Sequence, residues 1–443
     1  MLTEGFITSI LAQPKTANTA ISQDIGIYFH ELHPIPVIKS SLKKSSTRVH
    51  SLAANSTHIF AAQADKAVVH VFSRESKGPQ EALISFPERI HSLTLLGDGV
   101  LVLGTAEGRA ILWEVSTGRQ VSTPTAHLQP ISCLAGNNSH LITGSEDSNI
   151  HVWSVPRLLS MTATETSAEP LRTLSNHRAA ITSLAMGHSA SGTDICVSAS
   201  QDNTVVVWGY HSGNLLRTFL LQSAPLCLAL DPCDRAVYIG FGDGSIQAVE
   251  FSSRAKKHNE LYDKSLQNTP VQISLPSWTP RDGADSALCL GLSYDGTSLL
   301  SGHTSGKILE WNTSRRSCTT ELADLNAPVT NLLMSSPFPS RKLTKSLTVV
   351  KPKLGKSSHI FTGKLLGSIG STSRAIESNG FPSDLLERAI SSFSTTSLTS
   401  SPSGDEQLQE EIAELWELVN QQRALQRKTW SKYTTLKSGG TVL

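Results

Sequence analysis

His127, Thr143, Asp147 and Trp153 follow one another in this 443-residue chain, and His177, Ser198, Asp202 and Trp208 repeat the order at one spacing, four residues from hydroxyl to carboxylate and six from carboxylate to tryptophan. Serine, histidine and aspartate are the parts of an acyl-transfer triad. A triad is built once, however, and this order is built twice, which points to a repeated structural role. Other catalytic readings fail on their own residues. Gly355-Lys356-Ser357 ends like a phosphate-binding loop, but Val350 stands where its first glycine should be, with no strand-to-helix context around it. Gly240-Phe241-Gly242-Asp243-Gly244 is glycine-rich because a turn precedes a strand there. GHSAS at 187–191 lacks the last glycine of a nucleophile elbow. Six cysteines are spread singly with no CxxC pair, so neither a zinc knuckle nor a disulfide framework is expected. Cys133, Cys227 and Cys289 recur at equivalent strand positions, as small buried hydrophobes do. No catalytic residue, metal or cofactor is therefore expected.

The elements that would hold such residues repeat. Segments ending in a hydrophobic or tryptophan residue recur about every 40 residues: IGIYF, VVHVF, AILW, IHVW, VVVW, IQAVEF and ILEW, beginning at Ile25, Val68, Ala110, Ile150, Val205, Ile246 and Ile308. Each is preceded by an apolar first strand, FITSIL, RVHSLAA, IHSLTLL, ISCLAG, ITSLAM, LCLALD and LCLGLS. Period-2 alternation bounded by Gly, Asp, Asn and Ser is strand grammar, and this period is that of four-stranded propeller blades. One blade cannot bury both faces, whereas seven stacked radially cover one another. The expectation is an all-β, seven-bladed propeller over 1–334, with longer loops at 156–175 and 252–286. The first loop opens on PRLLSM, which suits a short helix packed on the ring, and the second contains Trp278. Val329–Met334 is a further strand-like piece that either closes the ring or begins the extension. The pattern is incomplete: Leu103 stands where the third unit needs a hydroxyl, Ser305 stands in the aspartate place before Trp311, and the first, second and sixth units end without tryptophan.

Composition narrows the function classes. Hydrophobic residues make up 39%, enough for a sizeable core, and 38 basic against 37 acidic side chains give a net charge of +1. No global electrostatic drive toward nucleic acid or anionic lipid follows from that balance. No apolar run approaches a membrane span and the N-terminus lacks a basic leader, so a soluble, intracellular chain without membrane contact is expected. Charge is locally unbalanced in 335–402, a Ser/Thr-rich arm expected to be partly disordered. Between Leu325 and Ile376 stand eight bases and no acid: Arg341, Lys342, Lys345, Lys351, Lys353, Lys356, Lys364 and Arg374. Apolar residues interleave with them, including Leu343, Val349, Val350 and Leu354, which favours a partner-binding arm over a solvated linker, with RNA phosphates or an acidic partner as its ligand.

The last element, 403–437, reads as an amphipathic helix with a terminal partner. Ser403 and Glu406 form a capping-box pattern, acids fill the first half and bases the second. Leu408, Ile412, Leu415, Val419 and Gln422 follow a 4, 3, 4, 3 spacing, which makes one apolar face over about three heptads. A helix that short needs association for stability, and self-pairing is the simplest solution.

The two four-residue sets resemble the WD-repeat tetrad. In that family the Asp in a tight turn orients the His, the His meets the hydroxyl and the hydroxyl meets the indole N–H, so the resemblance assigns these residues to architecture. The order of elements as a whole, with the look of VTNLLM, RKLTKSL and the ELWELV helix, is similar to the WD-repeat subunit of the Rix complex, or rixosome. That resemblance implies a non-enzymatic scaffold of the nucleolus and nucleoplasm, dimerised through Leu408, Ile412, Leu415, Trp416 and Val419. It implies a Rix scaffold subunit and a helical-repeat protein as partners on precursors of the large ribosomal subunit. Removal of the second internal transcribed spacer and engagement of a remodelling ATPase would be its work, with a role in replication licensing also attached to the family. A ubiquitin-ligase substrate receptor is the rival from another class. It expects a WDxR-type pair, whereas Trp153 is followed by Ser154 and Trp208 by Gly209.

Overall fold

A computed structural model describes residues 3–12, 26–33, 35–74, 82–160, 169–187, 194–251, 260–263, 266, 267, 269–273, 276–280, 285–335, 337 and 349–352, with Glu417, Asn420, Gln421, Ala424, Arg427–Thr429 and Ser431. Seven sheets, antiparallel but for one added strand, form seven blades. From the inside outward, blade 2 runs Leu52–Ala54, His58–Ala62, Val68–Ser73 and Ala82–Ser85. Blade 3 runs Ile90–Leu96, Val100–Thr105, Ala110–Glu114 and Gln120–Ser122, and blade 4 Ile131–Gly136, His140–Ser145, Ile150–Ser154 and Arg172–Leu174. Blade 7 runs Ala287–Leu292, Ser298–His303, Lys307–Asn312 and Ser317–Asp324.

Blade 1 corrects the reading of FITSIL as a first strand. Gly5–Ile10 lies second, followed by Gly26–Glu31 and Val37–Lys43, and the inner place is taken by Val329–Ser335, which pairs with it antiparallel from Gly5↔Ser335 to Ile10↔Val329. The last strand thus closes the ring onto the first. A buried polar knot ties this closure to the entry of blade 2. Asn331 Nδ2 donates to the Arg48 carbonyl at 2.7 Å and to Ser9 Oγ at 3.0 Å, while its Oδ1 accepts the Ser51 N–H at 3.1 Å. Consecutive inner strands touch all the way round, including those of blades 7 and 1 and of blades 1 and 2.

The loop at 252–286 adds to two blades. Blade 5 runs Ile181–Met186, Ile195–Ser200, Thr204–Gly209 and Asn214–Leu220, and gains Val271–Gln272 as a parallel fifth strand. Among the described residues blade 6 has three strands, Pro225–Leu230, Ala236–Phe241 and Ile246–Glu250, and Trp278 pairs beside the third. Its backbone exchanges both hydrogen bonds with Ile246, at 2.7 and 3.0 Å, and its buried ring lies 5.9 Å from Tyr238 and 6.4 Å from Trp311. The loop between the third and fourth strands of blade 4 begins with the helix Val155–Leu158, whose Val155 and Leu158 are buried against the junction of blades 3 and 4.

The core is divided in seven, one apolar cluster at each junction between neighbouring blades. This is why no blade is expected to fold alone: each buries a face only when its neighbour is present. Separately, the described residues between Glu417 and Ser431 are helical and exposed.

Candidate functional site

The polar residues singled out in the sequence are brought together in two blades. In blade 4, His127 Nδ1 faces Asp147 Oδ2 at 3.2 Å, His127 Nε2 faces Thr143 Oγ1 at 2.8 Å and the Trp153 indole donates to that hydroxyl at 3.1 Å. In blade 5, His177 Nδ1 faces Asp202 Oδ2 at 3.3 Å, His177 Nε2 faces Ser198 Oγ at 2.7 Å and the Trp208 indole donates to Ser198 Oγ at 2.8 Å. One proton arrangement satisfies each chain: the imidazole donates from Nδ1 to the carboxylate, the hydroxyl accepts the indole N–H and donates to Nε2. The carboxylates are held by backbone N–H groups of the turns, Leu128 and Asn149 on Asp147, Arg178 and Thr204 on Asp202. Burial would raise both, but these donors and the histidines outweigh it and leave both carboxyls below their usual range. Burial, with the neighbouring His151, pushes His127 down to about 4, so its ring is neutral near pH 7.

Thr143 and Ser198 have no exposed surface. A hydroxyl that already spends its proton on Nε2 and a lone pair on an indole offers no nucleophile to solvent. Five of the six cysteines are equally withdrawn, Cys233 alone being exposed, and burial pushes Cys133 and Cys289 up to about 12. Among the described residues no group of three His, Cys, Asp or Glu is placed to hold a metal ion.

Blade 7 holds a further set that the sequence pattern missed. Trp311 donates to Ser301 Oγ at 2.8 Å, Ser301 meets His303 Nε2 at 2.8 Å and His303 Nδ1 meets the Asp285 carbonyl at 2.9 Å. Here the histidine stands two residues after the hydroxyl on the same strand, hence on the same face, and a backbone carbonyl replaces the aspartate. The ten-residue step from hydroxyl to tryptophan is shared with blades 4 and 5 and was the available signal.

A second feature comes from register. The inner strands of blades 3 to 7 carry an irregularity at their second residue, which turns that side chain out of the sheet. His91, Ser132, Thr182, Leu226 and Leu288, joined by His50 and Thr330, thereby line an axial cavity of about 640 Å³. Leu11, Leu226 and Leu288 make one side apolar, whereas Arg48, His50, His91, Gln129 and Glu146 make the other polar. His50 reaches across the axis from blade 2 to the Thr182 carbonyl of blade 5 at 3.1 Å. Beside the cavity runs a relay from blade to blade. Ser51, Ser92, Ser132, Thr182, Cys227, Cys289 and Thr330 each contact a backbone carbonyl of the next blade, at 3.0, 2.9, 2.6, 2.8, 3.4, 3.5 and 3.0 Å. Cys227 and Cys289 are therefore weak donors at a junction as well as space fillers.

Of the arm, only Lys351 among the singled-out bases is described, and it is exposed; Arg341, Lys342, Lys345, Lys353, Lys356, Lys364 and Arg374 lie outside the described residues. So do the proposed dimer contacts Leu408, Ile412, Leu415, Trp416 and Val419. Val349–Pro352, placed in the arm by composition, pack on blade 3, where Trp113 donates to the Val350 carbonyl at 3.2 Å.

A closed ring of seven blades with His–hydroxyl–Trp chains defines a WD-repeat β-propeller protein, and residues 118–154 and 168–209 match the family described as WD domain, G-beta repeat. More particularly, the chain is a homologue of the pre-rRNA-processing protein Ipi3/Crb3 and of WD repeat-containing protein 18, as the order of its elements implied. It is 25% identical over 330 residues to the pre-rRNA-processing protein crb3/ipi3 of Schizosaccharomyces pombe, covering 69% of this chain and 74% of that one. It is 28% identical over 314 residues to the pre-rRNA-processing protein IPI3 of Yarrowia lipolytica, covering 67% and 70%. It is 27% identical over 279 residues to WD repeat-containing protein 18 of Danio rerio, and the match spans 62% of the length of each.

Proposed function

We propose that this chain is the non-enzymatic scaffold subunit of a nuclear Rix-type complex, acting in removal of the second internal transcribed spacer and maturation of the large ribosomal subunit. The observation that carries the reading is the homology to proteins named for pre-rRNA processing across most of the ring. The chemistry of the ring supports it, since the His, Ser, Thr and Asp side chains singled out in blades 4 and 5 are satisfied internally. A scaffold needs faces rather than a reaction centre. The axial mouth and the outer blade edges supply those faces, for a Rix scaffold subunit, a helical-repeat protein and the pre-ribosomal particle with its remodelling ATPase. The basic arm is proposed to meet RNA or an acidic partner, and the terminal helix to pair two copies. The test is affinity purification of the tagged full chain followed by mass spectrometry. Pre-ribosomal large-subunit factors are expected; cullin adaptors without them would decide for a ubiquitin-ligase receptor.

A further inference from the structure

Blade 3 breaks the tetrad rule in a way that leaves a donor to be used. Its Trp113 is fully buried, yet ten residues earlier, where blades 4, 5 and 7 place a hydroxyl, stands the fully buried Leu103. A buried indole N–H without an acceptor is costly, and protein interiors satisfy such groups. The acceptor here is the Val350 carbonyl, 237 positions further along the chain and 3.2 Å away. The contact has other parts. The Val350 N–H donates to the Val115 carbonyl at 2.9 Å, and Val349 packs on the apolar junction of blades 2 and 3 beside Trp113. Gly118, at φ +75°, leaves room for the strap: a Cβ there would stand 2.7 Å from the Lys351 carbonyl and 2.8 Å from a Val350 methyl.

We propose that the missing hydroxyl of blade 3 makes Trp113, Val115 and Gly118 a docking site for an extended apolar peptide, occupied by the chain's own Val349–Pro352. The site reads one residue's backbone from both sides, its carbonyl by an indole and its N–H by a strand carbonyl, and selects a preceding aliphatic side chain. It works as a latch. Because Lys345 and Lys356 are at most six residues from Val350 or Lys351, docking confines those bases to within roughly 20 Å of blade 3. Docking therefore fixes the point from which these two bases are tethered to a ring whose residues 1–334 carry 24 basic against 28 acidic side chains.

Hydrogen–deuterium exchange on the full chain tests this at the Val350 amide. In the unaltered protein that amide should be protected. Trp113→Phe, which keeps an aromatic ring and removes the donor, should speed its exchange roughly two- to ten-fold relative to the Leu112 amide of the same blade. Val349→Asp, which touches the arm alone and leaves the ring sequence intact, should bring it to the rate of a free peptide with Leu112 unchanged. Free-peptide exchange in the unaltered protein, or unchanged protection in both variants, would overturn the latch. Protection that grows with protein concentration would show a second copy's segment in the site and overturn the assignment to the same chain.

Discussion

Replacing Ser198 by alanine removes one oxygen and strands two buried groups. The Trp208 indole loses its acceptor at 2.8 Å and His177 Nε2 loses its donor at 2.7 Å, at a position with no exposed surface. Each net hydrogen bond contributes about 1 kcal/mol, and each orphaned buried group adds a desolvation cost of about 1 kcal/mol or more. The expected loss is therefore about 2–4 kcal/mol, less if a water enters the small void. Urea unfolding followed by tryptophan fluorescence reads it as a lower midpoint, and the same substitution made on a Trp208→Phe background should cost about 1 kcal/mol less, because one of the two stranded groups is gone. Ser198→Thr, which keeps the hydroxyl, should lie nearer the unaltered protein. If Ser198→Ala stays within about 0.5 kcal/mol of the unaltered protein, the view that these chains hold the blades together is wrong.

Acid should loosen the ring through its neutral histidines. Burial holds His30 and His127 near 4 in the folded chain, below the ordinary 6.5, so their contribution is complete above about pH 6.5 and is lost as pH falls toward 4; each can remove up to about 3 kcal/mol. Asp147, held low by its backbone donors, acts in the same direction at still lower pH, and thermal midpoints recorded between pH 7.5 and 4.5 should fall steadily. Asn331→Leu removes the knot that ties the closing strand to blade 2 and leaves the Ser51 N–H and Arg48 carbonyl without it, so a loss of about 2–4 kcal/mol is expected in the same urea assay. Deleting 405–437 should turn a dimer into a monomer in light scattering; an unchanged mass would remove the self-pairing of the helix.

Much of the ring was legible because its signals are local. Strand alternation, turns rich in Gly and Asp, and a third strand ending in tryptophan or another hydrophobic residue near every fortieth residue located all seven blades, and a fixed step of four and six found the polar chains of blades 4 and 5. What escaped was set by tertiary context. FITSIL has the grammar of any apolar strand, and only the arrival of Val329–Ser335 from the far end of the sequence makes it second in its blade. His303 escaped because the pattern sought an upstream histidine and an aspartate, whereas a backbone carbonyl has no sequence signature. Trp278 and Val349–Val350 add to blades 6 and 3 from distant loops, and the cavity-lining residues follow from a register irregularity that composition does not encode.

The proposal is that a closed ring of seven blades serves pre-rRNA processing. Its most direct test is depletion of the protein followed by hybridisation of precursor RNA with a probe to the second internal transcribed spacer. Spacer-containing precursor should accumulate, and both the full chain and Ser198→Thr should clear it, whereas a chain lacking Val329–Ser335 should not. Unchanged precursor levels after depletion, or full rescue by the ring that cannot close, would contradict the account.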